Sequence, residues 1–357
     1  MGKHHARQVA NGAVPGCGLA ALCDENPRAG ADFPDVPFFD NPRALFASGT
    51  IDAALIATPH YQHTELGIAA LKASLHVLVE KPISVHKADA QRLLAARRSK
   101  KQVFAAMFNQ RTDPHYRKLR DLVRSGELGK IRRINWTITD WFRPDAYYKH
   151  AGWRATWAGE GGGVLLNQCP HNLDLFQWIF GMPAQVRGFC QFGRYHNIEV
   201  EDDVTAYFQY SDGTTAVFIS STGEAPGSNR LEVAGERGRL VMENSTMRFL
   251  RNEVPMSEFS RKTAEKFARP DVWEVNIPLP PDRGEQHLGI LKNFTNAILH
   301  GEPLIAPAAE GIHSVELANA IIMSSLENST VDLPMPAARY AGHLAKLIRS
   351  SKKTRQK

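Results

Sequence analysis

Cysteine is scarce in this chain. There are 4 among 357 residues, and Cys17, Cys23, Cys169 and Cys190 form no Cys-x-x-Cys pair. Such scatter excludes a disulfide scaffold and a structural zinc centre, and it fits a reduced, cytoplasmic setting with no bound metal. Long apolar runs are lacking too. The longest, such as 53–57 and 164–166, fall far short of the ~20 residues that span a bilayer. No charged segment leads into an apolar stretch as a secretory signal would. Nor is there a broad excess of one charge. The net charge is +6, but Lys346, Arg349, Lys352, Lys353, Arg355 and Lys357 all lie near the C-terminus with no acid among them. Without that tail the body is neutral. With no helix-turn-helix, zinc-finger or aromatic RNA-binding signature beside it, a frayed, solvated tail is the reading, and nucleic acid is excluded as a partner.

What is present is an ordinary globular composition, 43% hydrophobic and 22% charged, at a length that holds about two domains. In the first third, short apolar runs at 19–23, 52–58, 76–80 and 102–108 alternate with helical patterns at 64–73 and 87–97. Near-continuous apolar strands between amphipathic helices predict a parallel sheet covered on both faces, a doubly wound Rossmann-type α/β domain. Beyond a helix near 115–124 the pattern changes. Strands are expected at 131–141, 186–192, 204–210, 214–220, 230–234 and 239–242, a helix at 170–180, and further helices at 285–299, 308–326 and 337–348. Asp212-Gly213 between two strands marks a hairpin. A second α/β domain with a large, mostly antiparallel open sheet follows. The boundaries are 1–112 for the Rossmann domain, 113–340 for substrate binding and oligomerisation, and 341–357 for a basic helix end and tail.

A dinucleotide-binding domain opens with a strand, a Gly-rich turn and a helix whose N-terminus faces the pyrophosphate. This chain opens at Met1-Gly2-Lys3-His4-His5, in the pattern of that helix. Gly2 and Asp24 stand at about the spacing of the last fingerprint glycine and the ribose-binding carboxylate. The expectation is that Gly2 is the third glycine of the fingerprint, with the first strand and Gly-x-Gly lying upstream. Asp24 has two readings, an ordinary turn aspartate or the ribose ligand. A carboxylate there repels a 2′-phosphate, so NAD is expected over NADP.

Three segments are more specific. They are Ala57-Thr58-Pro59-His60-Tyr61-Gln62-His63, then Glu80-Lys81-Pro82, and Gly161-Gly162-Gly163 running on to Asn167, Pro170 and His171. In order and spacing this resembles the Gfo/Idh/MocA oxidoreductases, the family of glucose–fructose oxidoreductase and inositol 2-dehydrogenase, over essentially the whole chain. The resemblance implies hydride transfer between a carbinol carbon and NAD. The substrate would be a sugar, cyclitol or glycoside held between the domains, and the chain a homo-oligomer, dimer or tetramer, joined through the C-terminal sheet. It implies Lys81 near the nicotinamide and the reacting oxygen, His171 as acid/base, and Asn167 beside them where the family commonly has Asp. It also implies cofactor contacts from Thr58, Pro59, His63, Glu80, Lys81, Pro82, Trp153 and Arg154. If the helix were continuous, Asn167 and His171 would share a face at i, i+4, a condition that Pro170 puts in question. Trp141, Arg143, Tyr147 and Tyr148 suit stacking on a sugar, with Tyr147 and Tyr148 as substrate contacts, and suit a subunit interface equally. Two other activities fit the same pattern: an NAD-dependent glycosidase or lyase acting by transient oxidation, and a non-catalytic NAD-dependent sensor.

Overall fold

The computed structural model describes residues 1–149 and 152–351. The N-terminal domain contains α1 (Gly2–Ala10), β1 (Leu22–Cys23), β2 (Phe38–Phe39), α2 (Pro42–Ala47), β3 (Ala53–Ile56), α3 (His60–Lys72), β4 (His76–Val79), α4 (Lys87–Ala95) and β5 (Phe104–Ala106). All its strands pair in parallel, in two pieces, β1–β2 and β3–β4–β5. Val77, Leu78, Val79, Ala105 and Ala106 are buried, as strands with both faces covered require. The strand expected at 19–23 shrinks to Leu22–Cys23. Its partner Phe38–Phe39 escaped the sequence reading because Pro34, Pro37 and Pro42 crowd a run only two residues long. Helix starts are set locally: Asn41 caps α2 and His86 caps α4 through side chains that accept main-chain N–H groups.

The second domain holds α5 (Pro114–Arg124), β6 (Ile131–Ile138), α6 (Asp145–Lys149), α7 (Val164–Asn167), α8 (Pro170–Phe180), β7 (Gln185–Phe192), β8 (Glu201–Gln209), β9 (Thr215–Ser221), β10 (Asn229–Gly235), β11 (Gly238–Glu243), β12 (Thr246–Asn252), α9 (Met256–Lys262) and β13 (Val272–Asn276). The chain ends with α10 (His287–His300), α11 (Gly311–Glu327), β14 (Val331–Asp332) and α12 (Ala337–Ser350). Nine strands form one sheet in the order β13-β12-β11-β10-β6-β9-β8-β7-β14, antiparallel except for the parallel pair β6–β9. The β8–β9 hairpin turns at Asp212-Gly213, where Gly213 takes φ 87° and Asp212 Oδ1 accepts from Thr214 N at 2.9 Å. Alternate residues of β7 to β11 join a core with α8 and α11. The other face is open and carries exposed Phe189 and Tyr207.

Helix α10 returns to the first domain. Ile290, Leu291 and Phe294 join the core of β3, β4 and β5, and Ala106 N donates to Ala306 O at 3.0 Å. Lys87 on α4 reaches Glu316 on α11 at 2.5 Å and the Met335 carbonyl at 2.7 Å, all buried. The Rossmann core is therefore built by both ends of the chain. The basic tail expected at 341–357 begins inside α12, and residues 352–357 lie outside those described. No described helix is long and apolar enough to cross a membrane.

Candidate functional site

Strand β4 delivers its next residues, Glu80, Lys81 and Pro82, to the carboxyl edge of the sheet, where ligands of open α/β folds bind. Glu80 is buried, and His5 of α1 meets its carboxylate at 2.7 Å. Burial alone would raise its pKa, but His5 and the charge of Lys81 outweigh that and hold it at about 2. Lys81 Nζ donates to the main-chain carbonyl of Asn167 at 2.7 Å. Burial pulls the Lys81 pKa below its ordinary value, against the opposing charges of Glu80 and Glu160. A lysine so perturbed at the carboxyl edge of a sheet is a functional-site candidate.

The Gly-rich segment owes its shape to close approach. A Cβ on Gly163 would collide with the main chain of Glu201. The buried Glu201 carboxylate accepts from Gly163 N at 2.8 Å and Leu165 N at 3.1 Å, pinning the start of α7. The i, i+4 relation depended on a continuous helix, and the helix breaks: α7 ends at Asn167 and α8 begins at Pro170. Pro170 has no N–H to extend the ladder, which accounts for the break. No hydrogen bond joins Asn167 to His171 among the described residues. Burial and the nearby charge of Lys81 keep the His171 pKa well below its usual value, and its Nδ1 has no described partner. Asp174 is no substitute for a carboxylate at this site. It is bidentate to buried Arg111 at 2.7 and 2.6 Å.

Asn167 turns instead to Glu160. Its Nδ2 donates to Glu160 Oε1 and, at 3.1 Å, to the Tyr147 hydroxyl. Arg154 Nη1 donates to the same hydroxyl at 2.7 Å, and its guanidinium carbon stands 4.7 and 4.8 Å from the Trp153 and Tyr147 ring centroids. Glu160 is buried and accepts from Ala155 N at 2.7 Å. Burial raises its pKa, with that N–H and Arg154 opposing. His60 and Tyr61 at the start of α3 brace this loop, meeting the carbonyls of Glu160 at 3.2 Å and Trp157 at 2.6 Å. Sequence reasoning missed Glu160, Glu201 and His5. Each is a lone polar residue with no periodic or spaced partner, and only the fold supplies its neighbours.

Other expected residues divide. Thr58 Oγ1, past the end of β3, is buried without a described partner. Gly2 lies against the same strand end, where a Cβ would stand 3.7 Å from that of Ala57. Asp24 follows β1 and is exposed, with Oδ1 accepting from Asn26 N at 2.8 Å. Pro59 precedes α3 as its cap. His63 is buried with its ring nitrogens 2.7 and 2.8 Å from the Pro82 and Thr58 carbonyls, so it ties two turns together. Tyr148 spends its hydroxyl on Thr222 at 3.0 Å and its ring on His196. Cys169 packs as a buried thiol bonded to Ser220, and burial pushes its pKa up to about 12.

Thr58 Oγ1 and His171 Nδ1, both buried without a described partner, are polar atoms of the kind that a bound nucleotide or hydroxylated substrate satisfies. Residues 1–108 match the model described as "Oxidoreductase family, NAD-binding Rossmann fold", and residues 116–241 match the GFO/IDH/MocA C-terminal domain. The uncharacterized oxidoreductase YdgJ of Escherichia coli (strain K12) is 33% identical over 183 residues, 51% of this chain and 51% of that protein, so the match spans about half its length. The inositol 2-dehydrogenase of Rhizobium meliloti (strain 1021) is 25% identical over 93% of this chain and 96% of its own. The WlbA dehydrogenase of Bordetella pertussis, solved with NADH and UDP-GlcNAcA, superposes with a TM-score of 0.77 at 23% identity, covering 94% of this chain and 96% of that one. With an NAD-binding Rossmann domain followed by the matching C-terminal domain, the chain belongs to the Gfo/Idh/MocA oxidoreductase family.

Proposed function

We propose that this protein is an NAD-dependent dehydrogenase that oxidises or reduces one hydroxyl-bearing carbon of a sugar, cyclitol or glycoside. The observation that carries the reading is half-buried Lys81, delivered by β4 and tied at 2.7 Å to the segment that carries His171. NAD, when bound, supplies the hydride acceptor or donor, and Thr58, Asp24 and the turn at Pro82 would hold it. Lys81 stabilises the alkoxide as an ammonium donor. His171, kept neutral by burial, takes the hydroxyl proton or returns it. The open sheet face with Phe189 and Tyr207 is the surface we assign to a homo-oligomer. The unpaired thiols fit a reducing cytoplasm.

Titration with NADH and NADPH, followed by NADH absorbance in the presence of myo-inositol and other cyclitols, anhydrosugars and sugar nucleotides, tests the reading. Preferred NADH binding and stoichiometric NADH production from one of these polyols are expected. Release of an aglycone without net NADH replaces it with the lyase reading. Binding with no turnover, unchanged by Lys81→Ala, replaces it with the sensor.

A further inference from the structure

Glu160 is buried, yet its nearest cation, Arg154, stands off at 3.6 Å. Its closest partner is the side-chain amide of Asn167. A carboxylate can only accept, so Asn167 must turn its NH2 toward Glu160. The second amide hydrogen then meets the Tyr147 oxygen at 3.1 Å. Arg154, which can only donate, reaches that same oxygen at 2.7 Å. Both lone pairs of the phenol are thereby taken, with Gln168 Nε2 a longer third donor at 3.5 Å. Its own hydrogen remains, and no described residue accepts it. Tyr147 is half-buried and stands over Asn167, whose main-chain carbonyl holds Lys81 Nζ.

We propose that Glu160 is a positioning residue that fixes the donor sense of the Asn167–Tyr147–Arg154 cluster, committing the Tyr147 hydroxyl to donate a hydrogen bond to the substrate oxygen beside Lys81. No proton leaves Tyr147; it donates as a neutral phenol, most strongly when that oxygen carries alkoxide charge. This rests on the dehydrogenase reading for its substrate, but not for its hydrogen-bond order.

The test has two arms. With myo-inositol, or whichever polyol the parent turns over, Tyr147→Phe and Glu160→Gln each lower kcat by about tenfold or more, the scale of one donor to a developing oxyanion. Melting temperature and NADH affinity stay at parent values, and the double variant is no worse than Tyr147→Phe. Glu160→Gln with Asn167→Asp keeps charge and shape but makes residue 167 the acceptor for Tyr147, so activity stays low. Recovery in that exchange, additive losses, or full activity in Tyr147→Phe overturns the proposal. The second arm needs no substrate. In ligand-free protein labelled with 15N-asparagine, the side-chain NH2 pair that disappears in Asn167→Asp shifts one proton in Glu160→Gln and the other in Tyr147→Phe. If neither moves, the donor order is wrong. A parent that oxidises no polyol defeats the dehydrogenase reading alone, and this arm still decides the donor order.

Discussion

Lys81 and Asn167 meet across the domain boundary through the Asn167 main-chain carbonyl, with Nζ at 2.7 Å. The anchor therefore does not depend on which side chain stands at 167. The amide is free for Glu160 and Tyr147, and the lysine keeps its place.

Lys81→Met should leave the fold and NADH binding intact and lower turnover by about 10²–10³-fold, the range for one donor to a developing oxyanion. Steady-state kinetics beside a nucleotide titration read both quantities, and loss of nucleotide binding with equal severity would make Lys81 a cofactor anchor instead.

Asp24→Ser should narrow the preference for NADH over NADPH by about tenfold, which corresponds to about 1.4 kcal/mol. At the ribose an exposed carboxylate past β1 would repel a 2′-phosphate, and its bond to Asn26 N is one a serine oxygen can replace. Competitive titration of the two nucleotides measures the ratio; an unchanged ratio leaves Asp24 as a turn residue.

Glu201 gives stability a pH dependence. Burial raises its pKa to about 7, against its two N–H donors. Between its unfolded pKa of about 4.3 and 7, the folded protein holds a proton that the unfolded chain has released. Its contribution to stability therefore falls as pH rises through that window, by up to about 4 kcal/mol. Glu201→Gln should melt a few degrees higher than the parent near pH 8 and at about the parent temperature near pH 4. Thermal scans at both pH values decide it.

Tyr148→Phe loses only the hydrogen bond to Thr222. A loss of about 1 kcal/mol of stability is expected, with turnover unchanged. A fall in kcat without a fall in melting temperature would return Tyr148 to the substrate contacts.

Phe189→Glu with Tyr207→Glu places charge on the open sheet face. Light scattering should show a smaller assembly than the parent, with the monomer fold retained. An unchanged mass would mean that this face does not join subunits.

The Rossmann pattern was legible because β3, β4 and β5 are short apolar runs between amphipathic helices, a signal carried entirely by neighbours in the chain. The hairpin at Asp212-Gly213 and the start of α8 at Pro170 were equally local, each fixed by a residue whose backbone has few choices. Strands β12 and β13 were not. The burial alternation of β12 lapses after Phe249, and β13 is almost wholly exposed, so neither presents an apolar face long enough to read.

The resemblance of their motifs led the sequence to place Lys81, Asn167 and His171 at one expected site, of which the structure joins Lys81 to Asn167. Tertiary structure decided what those side chains do to one another. It assigned Glu160 to Asn167, His5 to Glu80, Glu201 to the Gly-rich turn, and α10 to the first domain's core. Each pairing joins residues from different elements, and some lie far apart in the chain. A hydrogen bond is made by a distance of about 3 Å and a direction in space. Local sequence supplies the groups, and only the packed chain supplies those two quantities.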